Sequence, residues 1–363
     1  MQFYSIPSTS FGRLLSESLI VGNFASCSNL RLFGVTQENI CNTFILEVLS
    51  DELSIGKSPI LRKMYSFASR AKLNFLLLNH EEVFEEEFFF KLLKAQRKYR
   101  ERFVHLSGRI AFSGLRKLES RPIILFAART DDYWNSQNMR PEIDLSLRNS
   151  SIQWIESVLE MLIENSFSVI RIGTELNAEL SIKSQFFFDY SLSELRTEKS
   201  DFGICKYGDI AVTTGGGISL LPSLMGVPSL MVNTGLFSDL QPQEYLSHYL
   251  PKSVHSISDN RALNTHELSK LDLRSMQRDS QYLEEGLQIL EVTPEQALEA
   301  ISDFYQMIAR ERRTREPSNQ TTDKFQTVPK PLKDNFPKDI KLQDSDSVVG
   351  IKIHNLWRNF QSF

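Results

Sequence analysis

Many of the patterns that mark familiar chemistries are missing from this sequence. Cysteine is scarce: Cys27, Cys41 and Cys205 are three thiols in 363 residues, without CxxC spacing. An odd, scattered set excludes a disulfide framework and fits a reducing compartment. His80, His105, His248, His255, His266 and His354 show no HExxH or similar ligand spacing, so no metal site is readable. There is no GK[ST] phosphate loop, no GxGxxG dinucleotide fingerprint and no GxSxG elbow, which sets aside three common enzyme classes. Positive charge is not in excess, with 41 Lys and Arg against 45 Asp and Glu for a net charge of −4, so no nucleic-acid footprint exists. No apolar run reaches the ~18 residues a membrane span needs, and the N-terminus has no basic segment leading into an apolar one. The expectation is a soluble, cytoplasmic protein for which peripheral membrane contact stays open.

What is present is a globular composition long enough for two domains. Hydrophobic residues make up 41% and charged residues 24%, and the 25 Phe fit mixed α/β packing rather than a low-complexity chain. No internal repeat is visible. Residues 81–103 begin acidic and end basic, the polarity that complements a helix dipole, and read as one long helix. The polar, basic stretch that follows, closed by Arg121 and Pro122, places a boundary that gives domains at 1–115 and 116–310. Residues 311–363 form a polar, proline-bearing extension whose closing segment regains hydrophobicity and can pack back.

Beyond the boundary the pattern becomes regular. Residues 123–127 read as a short buried strand, and Ile152, Ile155, Leu159, Leu162 and Ile163 recur on one face of a helix that Ser150 or Ser151 can cap. A strand at 168–172, a loop holding Phe186, Phe187, Phe188 and Asp189, a short helix at 200–207 and a strand at 209–213 follow. A glycine loop, a helix at 220–225 and a strand at 228–232 complete a βαβ alternation, which predicts an α/β fold with a doubly wound parallel sheet. In the first domain, residues 19–21, 44–49 and 74–78 are candidate buried elements of a second α/β unit.

Thr214, Gly215, Gly216, Gly217 and Ser219 lie between a strand and a helix, where backbone N–H groups can face an anion and glycines permit close approach. Arg129 ends the first strand of this domain and is followed by Thr130, Asp131 and Asp132. A guanidinium there can clamp a diphosphate and stabilise the charge of a departing nucleoside diphosphate. Arg148 and Asn149 at the head of the next helix, and Arg171 at the end of the second strand, add polar groups to the same edge. Each alone also fits an ordinary ion-pair or helix-end residue.

The succession AARTDDY, then Arg148 and Asn149, then VIRIG, then the glycine loop running into PSLMGVPSLMVN, resembles a family of bacterial glycosyltransferases of surface-polysaccharide gene clusters. Phe11 to Glu17 and Cys41 to Leu46 resemble N-terminal segments of the same family, and Asn233 fits its late asparagine. Arg13 and Ala127 stand where that family carries histidines, and Gly216 where it carries a serine. The resemblance implies two Rossmann-like domains facing across a cleft, GT-B-like, with a nucleotide-sugar donor in the second domain and no separate cofactor or metal. It implies transfer to a surface glycan or lipid-linked acceptor, with peripheral contact at the inner membrane. Glu17, Asp131 or Asp132 would take the acceptor's proton. A nucleotide-sugar epimerase or hydrolase, or an inert binding protein derived from a transferase, would share the pocket.

Overall fold

A computed structural model describes residues 2–6, 11–28, 32–36, 42–51, 53–56, 63–64, 88–130, 147, 149–173, 180–235, 247–273, 276, 278–314, 325–327 and 352–354. The chain divides into two units, Met1–Arg109 with Thr197–Gly203, and Ile110–Arg196 with Ile204–Phe363.

In the first unit, β1 (Gln2–Ile6), β2 (Leu32–Thr36) and β3 (Leu53–Gly56) form a parallel sheet in that order. Parallel neighbours need a crossover, supplied between β1 and β2 by α1 (Phe11–Ser28). The apolar residues at 19–21 lie in this helix, where Leu19, Ile20 and Val21 are buried. Those at 44–49 fall in and just after α2 (Thr43–Val48), which Asn42 caps by accepting from the Ile45 N–H. Residues 74–78 lie outside the described residues. The expected long helix is α3 (Phe88–Leu106), which packs along α1, and its acidic start at 81–87 is likewise outside. Thr197–Gly203 joins this unit through Glu198, whose carboxylate accepts from the Thr43 N–H at 2.6 Å, and through Phe202, stacked on Phe103.

The second unit carries the larger sheet. After the short α4 (Leu115–Leu118), the chain passes through β4 (Ile123–Ala127), α5 (Ile152–Glu164), β5 (Ser168–Arg171) and β6 (Phe187–Asp189). Helix α6 (Ser200–Ile204) falls, all but its last residue, in the Thr197–Gly203 segment of the first unit, and the second unit continues through β7 (Ile210–Thr213), α7 (Leu220–Leu224), β8 (Ser229–Thr234) and β9 (Ser247–Pro251). Strands β4, β5, β7 and β8 are buried at every position, which is why they read as unbroken apolar runs instead of alternating ones. Ser151 caps α5 by accepting from the Trp154 N–H.

Counted from β4, the six parallel strands lie in the order 3-2-1-4-5-6. With right-handed crossovers this order sends the connections of its two halves to opposite faces, so the domain is doubly wound. One expectation is corrected: Phe187, Phe188 and Asp189 are not a loop but the edge strand β6, paired in parallel with Val169, Ile170 and Arg171.

Past β9 come the antiparallel strands β10 (Ser253–Ser256), β11 (Arg261–Ala262) and β12 (Leu287–Leu290), with α8 (Thr265–Ser269) and α9 (Asp279–Glu284) between them. Helix α10 (Pro294–Thr314) packs on α5. Near the end of the chain, β13 (Phe325–Thr327) and β14 (Lys352–His354) extend the large sheet, β14 running parallel to β9. No helix among the described residues is long and apolar enough to cross a membrane.

The head of α8 makes a pH prediction. Asn264 and Glu267 form a capping box, and Glu267 also takes two hydrogen bonds from Arg261, at 2.6 and 2.8 Å. The Arg261 donors first, then the Asn264 backbone N–H, hold the Glu267 carboxyl down to about 2. A depressed carboxyl stabilises the fold fully above its unfolded value and loses that contribution as pH falls from about 4.5 through about 2. Discounted for the exposure of both partners, the loss should be about 1 kcal/mol. Urea unfolding between pH 6 and pH 3 should therefore fall more steeply for wild type than for Glu267→Gln; equal slopes would remove the assignment.

Candidate active site at the strand carboxyl edge

In a doubly wound sheet the ligand crevice opens where the strand order reverses, beyond the carboxyl ends of the two central strands. Here those strands are β4 and β7, paired through Ala127 and Thr213 at their carboxyl ends. Each runs directly into one of the two features singled out in the sequence. The Arg129 N–H donates to Thr214 Oγ1 at 2.9 Å, and the Thr214 N–H donates to the Ala127 carbonyl at 3.0 Å. The arginine segment and the glycine loop are thus tied together at their roots.

The loop's conformation depends on glycine. Gly215 has φ 98° and Gly216 φ 88° with ψ 179°, a region that costs a side-chain-bearing residue steric strain. A Cβ on Gly216 would meet nothing within 4 Å, so the requirement is for backbone conformation and not for room. Among the described residues the amides of Gly215, Gly216 and Gly217 donate to no carbonyl or side chain. Gly217–Ser219 turns as a 3-10 helix, its Ser219 hydroxyl donating back to the Gly216 carbonyl, before α7. Helix α7 has five residues, all buried and including Pro222, so its dipole is small and adds little to the loop amides at this edge.

The remaining candidates occupy distinct positions. Asn149 is buried at the head of α5, its backbone carbonyl accepting from Lys252 Nζ at 2.6 Å. Arg171 is buried at the end of β5 and paired with Asp189 at 2.9 Å, while Ser191 donates to the other Asp189 oxygen. It therefore braces the β5–β6 edge. Glu17 is buried in α1 of the first unit. Asp131, Asp132 and Arg148 lie outside the described residues.

A polar hub that the sequence did not announce closes the far side of this edge. Asn233, at φ 52° and wholly buried near the end of β8, donates from Nδ2 to Ser150 Oγ and to Glu291 Oε1, both at 2.9 Å. Its Oδ1 accepts from the Val292 N–H at 3.0 Å. Glu291 also accepts from the Ser151 N–H and hydroxyl, so the chain's own carboxylate occupies the first amide at the head of α5. The sequence signals for Asn233 are its fit to the late asparagine of the resembled family and its residue type, since asparagine tolerates positive φ, and neither indicates its partners. Lys252 and Glu291 gave none, because their partners are 103 and 58 to 140 residues away. No group of His, Cys, Asp and Glu among the described residues is arranged to hold a metal ion.

Fold and edge together define a doubly wound domain with a glycine loop and an arginine at its switch point. No protein-family model and no curated protein sequence matches the chain. Among solved structures it is similar to E. coli ADP-heptose lipopolysaccharide heptosyltransferase II, at 10% identity and TM-score 0.43, covering 86% of this chain and all of that one. It is also similar to the E. coli heptosyltransferase WaaC solved with ADP-2-deoxy-2-fluoro heptose, at 10% identity and TM-score 0.39 over 78% and 99% of the two chains. A third is MnaA from S. aureus solved with UDP, at 9% identity and TM-score 0.37 over 64% and 78%. Likeness at this level carries no residue role and no reaction across to this chain.

Proposed function

We propose that the second unit binds the diphosphate of a nucleotide-sugar and that the chain is a glycosyltransferase. The observation that carries this reading is the union, at the switch point, of a loop whose Gly215, Gly216 and Gly217 amides have no partner among the described residues and the strand-end Arg129, tied by the Arg129–Thr214 bond. Donors and positive charge placed where a leaving diphosphate develops charge would stabilise the transition state without reorganising. In this scheme the amides of Gly215, Gly216 and Gly217, with the Thr214 root and Arg129, receive the diphosphate, the Ser219 N–H being held by the Gly216 carbonyl, and a metal is not needed. Arg148 and Asn149 shape the pocket beside them, and Arg171 supports its wall through Asp189.

The acceptor hydroxyl attacks the sugar's anomeric carbon as the bond to the diphosphate breaks, and its proton passes to a carboxylate, for which Asp131 and Asp132 are the candidates that follow Arg129 in the chain. The resemblance in sequence supplies the acceptor class, a surface glycan or a lipid-linked sugar, and with it peripheral contact at the inner membrane from the cytoplasmic side.

Titration calorimetry with a panel of nucleoside diphosphates tests the donor site. One or more should bind, and Arg129→Ala should weaken that binding about tenfold to a hundredfold, the range for losing a charge-assisted contact. Undiminished binding in the variant removes the clamp, and a wild-type protein that binds none removes the donor reading. Sugar released from the donor with no acceptor present would point to a hydrolase or epimerase on the same pocket.

A further inference from the structure

Lys252 follows the last residue of β9 and is 4% exposed. Its backbone N–H donates to the Thr234 carbonyl at 3.1 Å, fixing it to the end of β8. Its ammonium reaches across to the Asn149 carbonyl at 2.6 Å. The next residue, Ser150, donates its N–H to the Arg129 carbonyl at 2.8 Å, and Arg129 in turn donates to Thr214 at the root of the glycine loop. A single line of hydrogen bonds therefore runs from the end of β9 to both halves of the switch point.

A buried ammonium is a poor source of stability, because removing it from water costs several kcal/mol that its contacts only offset. A methionine of similar length would fill the same space without that cost. Among what the ammonium supplies that a methionine cannot is a directed bond to the Asn149 carbonyl, and that carbonyl belongs to the segment on which Arg129 rests.

We propose that Lys252 is a positioning residue for the diphosphate pocket: its buried ammonium holds the backbone of Asn149 and Ser150, which holds Arg129 at its working distance from the glycine loop. This inference rests on the donor-site reading above. It assigns Lys252 no contact with the ligand. Loss of the ammonium should loosen Arg129 without unfolding the sheet, since β4, β7 and β8 keep their own hydrogen bonds and burial.

The test measures two properties of Lys252→Met and Lys252→Arg in the full chain. One is hydrogen exchange at the Arg129 and Ser150 amides of the unligated protein, and the other is affinity for the nucleoside diphosphate that wild type binds best. Lys252→Met should exchange faster at those two amides and bind about tenfold more weakly, with exchange in β7 and β8 unchanged. Lys252→Arg, which keeps a buried cationic donor, should recover most of both. Weaker binding with unchanged exchange at Arg129 and Ser150 would overturn the positioning role. So would faster exchange with unchanged affinity. If wild type binds no nucleotide, the donor reading falls, and the brace itself stands or falls on the exchange result alone. Should Lys252→Met not fold, Lys252→Gln is read in the same way.

Discussion

Asn233→Asp should destabilise the protein by about 3–5 kcal/mol at pH 7, more than any smaller residue at that position, even though it changes one atom. Asn233 is wholly buried and makes three hydrogen bonds, two as donor through Nδ2 and one as acceptor through Oδ1. Aspartate keeps the shape, the tolerance of φ 52° and the acceptor for Val292. It loses both donors, and in place of the Nδ2–Glu291 bond at 2.9 Å it sets a buried carboxylate against the half-buried one of Glu291.

Asn233→Gly, which keeps the backbone conformation and removes the side chain, should cost less, about 2–3 kcal/mol for the buried groups it leaves unpaired. Asn233→Ala should fall between them because it adds a Cβ at positive φ. The aspartate variant also carries a pH signature. Its new carboxyl is raised by burial and by Glu291, so it destabilises the fold above its raised value and is relieved as pH falls toward 4. Denaturant unfolding of the three variants at pH 7 and pH 4.5 decides the matter. An aspartate variant as stable as wild type at pH 7 would mean that the hub does not bear on folding.

That hub also marks where reading from sequence stops. Strands β4, β7 and β8 are legible because burial on both faces turns them into short apolar runs between polar turns. The start of α5 is legible because Ser151 is a capping residue at the head of a helical apolar face. Glycine loop and arginine are legible as site candidates because both follow strands, and strand ends are where an open α/β sheet places its ligands. Their mutual tie is not, since nothing local in Arg129 or Thr214 indicates an 85-residue contact.

Edge strand β6 escapes for a different reason. It is three residues long, and Phe187, Phe188 and Asp189 have no alternation to separate a strand from a loop. Its existence is decided by β5 beside it, whose Arg171 meets Asp189 both in register and as an ion pair. Arg171 shows the same limit from the site's side. Its position at the end of β5 follows from sequence, but its ion pair with Asp189 is a tertiary fact that nothing local indicates.

The second large effect is expected where no charge is involved. Gly208 sits just before β7, with its N–H donating to the Cys205 carbonyl, and lies against β4. Its φ of −73° is one any residue can adopt, so a substitution tests packing alone. A Cβ there would lie 2.5 Å from Leu125 Cγ and 2.6 Å from its Cδ1, far inside van der Waals contact. Leu125 is wholly buried in the central strand β4, so it can yield only by leaving its rotamer or by displacing the strand. Gly208→Ala should therefore cost about 2–3 kcal/mol, the upper part of the range for overpacking a core.

The cause can be isolated with a double-mutant cycle. Leu125→Ala alone should cost about 2–4 kcal/mol through the cavity it opens. Gly208→Ala introduced into that background should cost almost nothing, because the new methyl group enters the space the leucine left. A Gly208→Ala penalty of the same size in both backgrounds would show that the glycine serves some purpose other than making room for Leu125. The outcome matters beyond stability. The strand that Leu125 anchors leads into Arg129, so a shift of β4 large enough to admit the methyl group should also disturb the arginine's place beside the glycine loop.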